Sequence, residues 1–249
     1  SILSLFSHQQ FNNYWFATGT PTFLVKMLNQ FNFNIEQFEH FIADASTFES
    51  YDIDRMNLPA LFFQTGYLSI KEIKEYDVDF RDYILSYPNL EVKESLLRHI
   101  LTDLCQVQTS TGVIVSQLGR SLLQNDLEEF FQLMVGLFAA IPSDIFIKDK
   151  EAYYHTIIYL ILTLIGVQVS SEVHTNKGRI DAIIQTHQRI YIFEFKLGSA
   201  EKALEQIENK RYYEKYLSTE KQIVLVGVGF DVKEKNIKNY LVKLLDNKS

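Results

Sequence analysis

An aspartate, Asp181, and a Glu-x-Lys triplet, Glu194 and Lys196, stand inside two alternating apolar segments, GRIDAIIQ and RIYIFEFKL. Packing alone has little use for charge there. Side chains alternate along a strand, so Glu194 and Lys196 share a face with Ile190 and Ile192, while Tyr191, Phe193, Phe195 and Leu197 take the other. Asp181 shares a face with Arg179 and Ile183. The short turn at Thr186-His187-Gln188 makes the two strands antiparallel neighbours, which lets Asp181 and Glu194 converge. Two adjacent carboxylates repel unless a cation lies between them, and an oxygen-only pair suits a hard ion such as Mg²⁺ or Mn²⁺. Lys196 can hold a water or stabilise charge on a phosphate. Together these groups are the minimum equipment for phosphodiester hydrolysis. The alternative is a structural cluster of buried ion pairs, which costs several kcal/mol per ion in desolvation.

The elements that must position these residues read α, β, β, β, α, β. Asp149 can cap a helix running through Tyr153, Ile157, Ile161 and Leu164, with Gly166 as its end. Strands are expected over Val167 to Thr175, Arg179 to Gln185 and Arg189 to Leu197. Ser199 then caps a helix to about Leu217, and Gln222 to Val228 forms a buried strand bounded by glycines. Ile237 to Leu245 is ambiguous in period and leans to strand. On the second helix Gln206, Lys210 and Tyr213 fall at i, i+4 and i+7, opposite Leu204, Ile207 and Leu217. That stripe faces either the site or solvent. Glu151 in the first turn of the first helix can complement the helix dipole, and His155 lies one turn further on.

Composition limits the function classes. The chain has 249 residues, of which 47% are apolar, enough for one large core or two small ones. Its one cysteine, Cys105, excludes an internal disulfide framework and favours a reducing, cytoplasmic compartment. The chain opens Ser1-Ile2-Leu3 without a basic n-region or cleavage pattern, so no secretory signal is recognised. Its most apolar run, Ile157 to Val167, falls short of the roughly 20 residues of a membrane span and is expected as a buried helix. No membrane partner is expected. Charge divides unevenly: from Ser171 onward 14 Lys and Arg face 11 Asp and Glu, leaving 10 against 20 in residues 1–170. A mildly basic C-terminal third tolerates a nucleic-acid partner; the acidic remainder does not invite one.

The first part of the chain reads as mainly helical. Thr20 and Pro21 mark a helix start, and Trp15 with Phe16 is expected in a core or interface. Leu58 to Thr65 and Glu91 to Leu104 are helical around a hairpin of Tyr67 to Ile73 and Asp79 to Leu85, a winged-helix-like order. The acidity of Glu72, Glu75, Asp77, Asp79 and Asp82 argues against a phosphate-facing wing. Ser116 to Ala140 continues with apolar residues every three or four positions. Pro142 and Ser143 break that pattern, which places a domain boundary at 145/146. None of the ten glycines lies in a Walker A pattern.

Asp181, then Glu194-Phe195-Lys196 behind a short hairpin, with helices bearing Glu151 and Gln206 on either side, resembles the PD-(D/E)XK nuclease superfamily and its αβββαβ core. The segments FNNYWFATGTPTFLVKML, EAYYHTIIYL, GRIDAII, YIFEFK and ALEQIENKRY are similar to bacterial proteins in which an AAA-ATPase-like region precedes such a domain. The resemblance implies an α/β (α+β overall) chain. Residues 1–145 would be helical and winged-helix-like, matching the C-terminal part of the ATPase-like module, and 146–249 would be a restriction-endonuclease-like domain. It further implies Asp181 and Glu194 as metal ligands with the carbonyl of Phe195 as a third, Lys196 as the catalytic lysine, Glu151 as a helix acid bridging to the metal, and Gln206 facing the site. Mg²⁺ or Mn²⁺ would be the cofactor and DNA the first-choice nucleic-acid substrate, cut by in-line attack of water. A nucleotide-driven ATPase module, whose core is missing here, would be a partner, and a homodimer is one assembly the family uses. Ile180 replaces the family's Pro before the first Asp. The rival expectation is a nuclease-fold domain that binds nucleic acid or a protein partner without cutting.

Overall fold

The computed structural model describes residues 35–49, 58–76, 80–105, 110–141, 150–169, 173–176 and 179–245. The expectations for Trp15, Phe16, Thr20, Pro21, Pro142 and Asp149 lie outside these residues. Two compact units divide between Asp103 and Leu104.

In the first unit, strand β1 (Phe41–Ala43), the short helices α1 (Ala45–Glu49) and α2 (Leu58–Gln64), and strands β2 (Ser69–Glu75) and β3 (Arg81–Ser86) precede helix α3 (Leu90–Cys105). The strands form an antiparallel sheet in the order β1-β3-β2. The hairpin and its flanking helices thus follow the sequence reading, with β1 added along β3. Phe38, Phe62 and Tyr87 supply an aromatic core, with ring centroids 4.6 Å apart for Phe38–Phe62 and 6.2 Å for Phe38–Tyr87.

The second unit contains helices α4 (Thr111–Gln124), α5 (Leu127–Ala139) and α6 (Lys150–Val169), strands β4 (Val173–Asn176), β5 (Arg179–Gln185) and β6 (Arg189–Leu197), helix α7 (Ala200–Lys210), and strands β7 (Gln222–Asp231) and β8 (Asn236–Leu245). The expected αβββαβ order is present, and the ambiguous last segment is the strand β8. The five strands lie in the order β4-β5-β6-β7-β8, with β6 and β7 parallel and the other pairs antiparallel. The chain is therefore a mixed α+β protein.

Phe193 and Phe230 turn to one face of the sheet. Phe193 meets Phe130 of α5 at 5.7 Å, and Phe230 meets Phe138 of α5 at 5.2 Å and Tyr154 of α6 at 4.9 Å. On that same face the Tyr191 hydroxyl donates to the carbonyl of Leu122 in α4 at 2.8 Å. Helices α4 and α5, assigned by sequence to the region before the 145/146 boundary, thus share a compact unit with the five-stranded sheet. Every residue from Ile157 to Gly166 is buried, which makes α6 the core helix expected from its composition. No helix among the described residues is long and apolar enough to cross a membrane. Helix α7 covers the opposite face, where Ile207 joins Ile183, Ile190, Ile192, Ile223 and Leu225.

Four local readings need correction. The apolar period from Ser116 to Ala140 is two helices, because Asn125 adopts a left-handed conformation (φ 60°) and Asp126 caps α5 by accepting from the Glu129 N–H at 2.9 Å. Asn tolerates that conformation better than most residues, and Asp-x-x-Glu is a helix-start signature. Helix α6 runs past Gly166 to Val169, so the strand expected from Val167 begins only at Val173. Helix α7 stops at Lys210, where Arg211 turns left-handed (φ 52°), and a short 3₁₀ turn, Glu214–Tyr216, follows. Tyr213 therefore leaves the helical stripe of Gln206 and Lys210.

The contact between α7 and the sheet depends on two glycines in β7. A Cβ on Gly227 would lie 2.4 Å from the Ala200 carbonyl oxygen and 2.6 Å from the Leu204 nitrogen. One on Gly229 would lie 2.8 Å from the Ala200 nitrogen. These are backbone atoms of the helix and cannot swing aside. Gly227→Ala is expected to destabilise the protein by about 2 kcal/mol or more. By contrast Gly136→Ala, at an exposed helical position with nothing within 4 Å, should stabilise by about 0.5–1 kcal/mol. Urea denaturation of the two variants measures both signs.

Candidate metal-and-phosphate site

The hairpin between β5 and β6 sets the geometry. Thr186 and Arg189 close the turn: the Thr186 N–H donates to the Arg189 carbonyl at 2.8 Å, and the Arg189 N–H donates to Thr186 Oγ1 at 3.0 Å. Stepping back from that pair without a bulge puts Gln185 opposite Ile190, Ile183 opposite Ile192, and Asp181 opposite Glu194. Directly opposed residues in an antiparallel pair have Cα atoms about 4.5–5.5 Å apart. The register therefore brings the two acidic positions together as the sequence predicts. The Asp181 side chain lies outside the described side chains.

Glu194 is 1% exposed, an unusual place for a carboxylate. Its Oε1 accepts from Gln206 Nε2 and lies 3.5 Å from Lys196 Nζ. Its Oε2 is buried with no hydrogen-bond partner among the described residues. The arrangement follows from the strand and helix that carry it. Glu194 pairs with Gly227 and Lys196 with Gly229 across the parallel β6–β7 ladder, and both glycines lie beneath α7. The helix enters at Ser199, whose Oγ accepts from the Lys202 N–H at 3.2 Å. Its first turns then press onto the glycines, and Gln206 reaches down to the carboxylate. Lys196, with 33% of its side chain exposed, reaches solvent from the same face.

Asp181, Glu194, Lys196 and Gln206 thus converge by register or contact, and Phe195 supplies the intervening backbone. Glu151 stands in the first turn of α6, the helix whose Tyr154 packs on the opposite face of the sheet; its side chain and that of His155 lie outside the described ones. Among the described residues no group of three or more His, Cys, Asp or Glu forms a metal cluster. What they do contain is one half of an oxygen site, a buried carboxylate oxygen lacking a donor, with the second carboxylate's backbone directly opposite. A hard divalent cation fits that donor set. Cys105 is no rival nucleophile: it is fully buried, and burial pushes its thiol up to about 12.

Gly227 and Gly229 escaped the functional reading of the sequence. Their signal was G-V-G inside a buried strand, with the glycines two apart and so on one face, a pattern that marks close approach of another backbone.

Residues 149–240 match the family model described as the PD-(D/E)XK nuclease superfamily. The chain is also 35% identical over 255 residues to an uncharacterized protein in the vnfD 5′ region of Azotobacter chroococcum mcd 1, an alignment covering 98% of this chain and 48% of that protein. It therefore spans about half the length of the curated relative it matches. No solved structure matches.

A buried carboxylate retained for function rather than for folding has a signature in stability. In chelator, Glu194→Gln should leave the protein equally stable or about 1 kcal/mol more stable by urea denaturation, because a buried charge is removed while the shape is kept. A loss above about 2 kcal/mol would show that the carboxylate holds the fold.

Proposed function

On the premise that residues 149–240 match the PD-(D/E)XK nuclease superfamily, we propose that this chain hydrolyses phosphodiester bonds in nucleic acid, DNA first, with Mg²⁺ or Mn²⁺. The observation that carries this reading is Glu194: buried, held through one oxygen by Gln206 and Lys196, its other oxygen lacking a donor among the described residues, at the position opposite Asp181. Asp181, Glu194 and the carbonyl of Phe195 would hold the ion, which when bound supplies positive charge to the phosphoryl oxygen and lowers the pKa of water.

The protein's own residues do the rest. Gln206 fixes the Glu194 carboxylate by occupying Oε1, so that only Oε2 is offered to the site. Lys196 keeps a positive charge beside the carboxylates, where it stabilises the negative charge that grows on the phosphoryl group in the transition state. The buried apolar pair Ile183 and Ile192, two residues along the hairpin, keeps that side of the site dry. Glu151 is assigned an outer role on the family pattern alone.

The finer kinship, to bacterial proteins with an AAA-ATPase-like region ahead of a nuclease-like domain, belongs to this proposal too. Supporting it are the β1-β3-β2 sheet with its flanking helices, a winged-helix-like order, and the greater length of the Azotobacter relative. In that arrangement the first unit relays between a nucleotide-driven module and the nuclease, in the cytoplasm, with a homodimer as one assembly.

Purified chain with Mn²⁺ or Mg²⁺ is expected to nick or degrade DNA, and Asp181→Ala or Lys196→Ala should lower the rate by about 10²-fold or more. Metal-dependent binding without turnover would favour a silent nuclease-fold domain. Cleavage indifferent to both substitutions would exclude this site.

A further inference from the structure

The turn that ends α7 carries a second set of groups beside the carboxylates. Lys210 lies four residues after Gln206, hence one turn or about 6 Å further along the same side of the helix. Its ammonium has no carboxylate partner among the described residues. Glu208 is taken by Lys243 and Glu214 by Arg211, while Lys210 Nζ lies 5.2 Å from the centroid of the Tyr212 ring. Tyr212 is half-buried and packs against the cluster containing Ile183, Ile190 and Ile192. Ile183 and Ile192 face each other across the hairpin two residues from the Asp181–Glu194 pair, about 7 Å along the strands. The carboxylate pair thus borders a buried apolar cluster beneath α7, Tyr212 packs against that same cluster, and the Lys210 ammonium lies over its ring.

We infer that Lys210 and Tyr212 form a nucleotide subsite next to the reacting phosphate: Lys210 grips the neighbouring phosphate of the strand and Tyr212 stacks on an unpaired base. This rests on the nuclease reading for the position of the scissile phosphate. A base presents its face to an aromatic ring only when it has left its own stack. The subsite therefore selects single-stranded nucleic acid, or a single-stranded flap or overhang, over a fully paired duplex.

The test is equilibrium binding of the full chain, in chelator, to a labelled single-stranded DNA and to a blunt duplex of the same sequence, read by fluorescence anisotropy across a salt series. The single strand is expected to bind more tightly. Tyr212→Ala should weaken it roughly ten- to a hundredfold, Tyr212→Phe should keep the affinity, and Lys210→Ala should reduce the salt slope by about one. Because Tyr212 touches the core, Tyr212→Ala is compared by thermal melting, and if it melts early the Lys210→Ala slope and the strand preference decide. Equal or tighter binding of the duplex overturns the inference, as does a Lys210→Ala slope equal to wild type. Binding is measured without metal or turnover, so a chain that prefers single strands through Tyr212 but never cuts loses the nuclease reading alone. One that cuts with no strand preference loses the subsite alone.

Discussion

A carboxylate with almost no exposure to water is the constraint around which the second unit is arranged. Glu194 sits on the central strand of the five-stranded sheet, where a charge without compensation would cost several kcal/mol. Compensation of one oxygen requires Gln206, and Gln206 arrives only because α7 lies unusually close to β7. That closeness requires Gly227 and Gly229, since any side chain at either would meet the helix backbone. Ser199 adds the cap that starts the helix at the right point. A chain of local choices thus ends at one half-satisfied carboxylate.

The two faces of the sheet divide the labour. Phe193 and Phe230, packed on Phe130, Phe138 and Tyr154, build an aromatic layer that stabilises the unit, and the Tyr191 hydroxyl on that face is satisfied by the Leu122 carbonyl. The other face keeps its apolar cluster under the C-terminal half of α7 and leaves the Asp181–Glu194 end to charged groups. Alternation along β6 makes this possible: Phe193 and Phe195 turn one way while Glu194 and Lys196 turn the other. A strand is the only regular element that can serve a dry core and a polar site with consecutive residues.

Much of this was legible in the sequence, and the reasons are specific. Period-two alternation in RIYIFEFKL and a short turn were enough to bring Asp181 near Glu194, and the register, which one hairpin fixes for every pair behind it, sets the two directly opposite. The expected Gln206 contact came from family resemblance, since spacing alone left it equally a solvated face. Helix ends were read less well. Gly166 looked like a stop, yet α6 is buried on all sides there, and packing overrode the local signal. Arg211 gives no sequence warning of a left-handed residue, so α7 looked longer than it is. Asp126-x-x-Glu129 carries a helix-start signature, but the apolar period runs on across it and reads as one helix. The 145/146 boundary followed Pro142, whereas α4 and α5 are drawn to the sheet by contacts such as Tyr191 to Leu122, which no local pattern records.

In the proposed function, the Glu194 oxygen that lacks a donor among the described residues and the carboxylate of Asp181 share a divalent cation. Isothermal titration of the full chain with Mn²⁺ measures this without any substrate. Saturable binding to wild type, with Asp181→Asn and Glu194→Gln each losing it while remaining folded, is the predicted result. Absence of binding to wild type, or binding unchanged in both variants, would contradict the account.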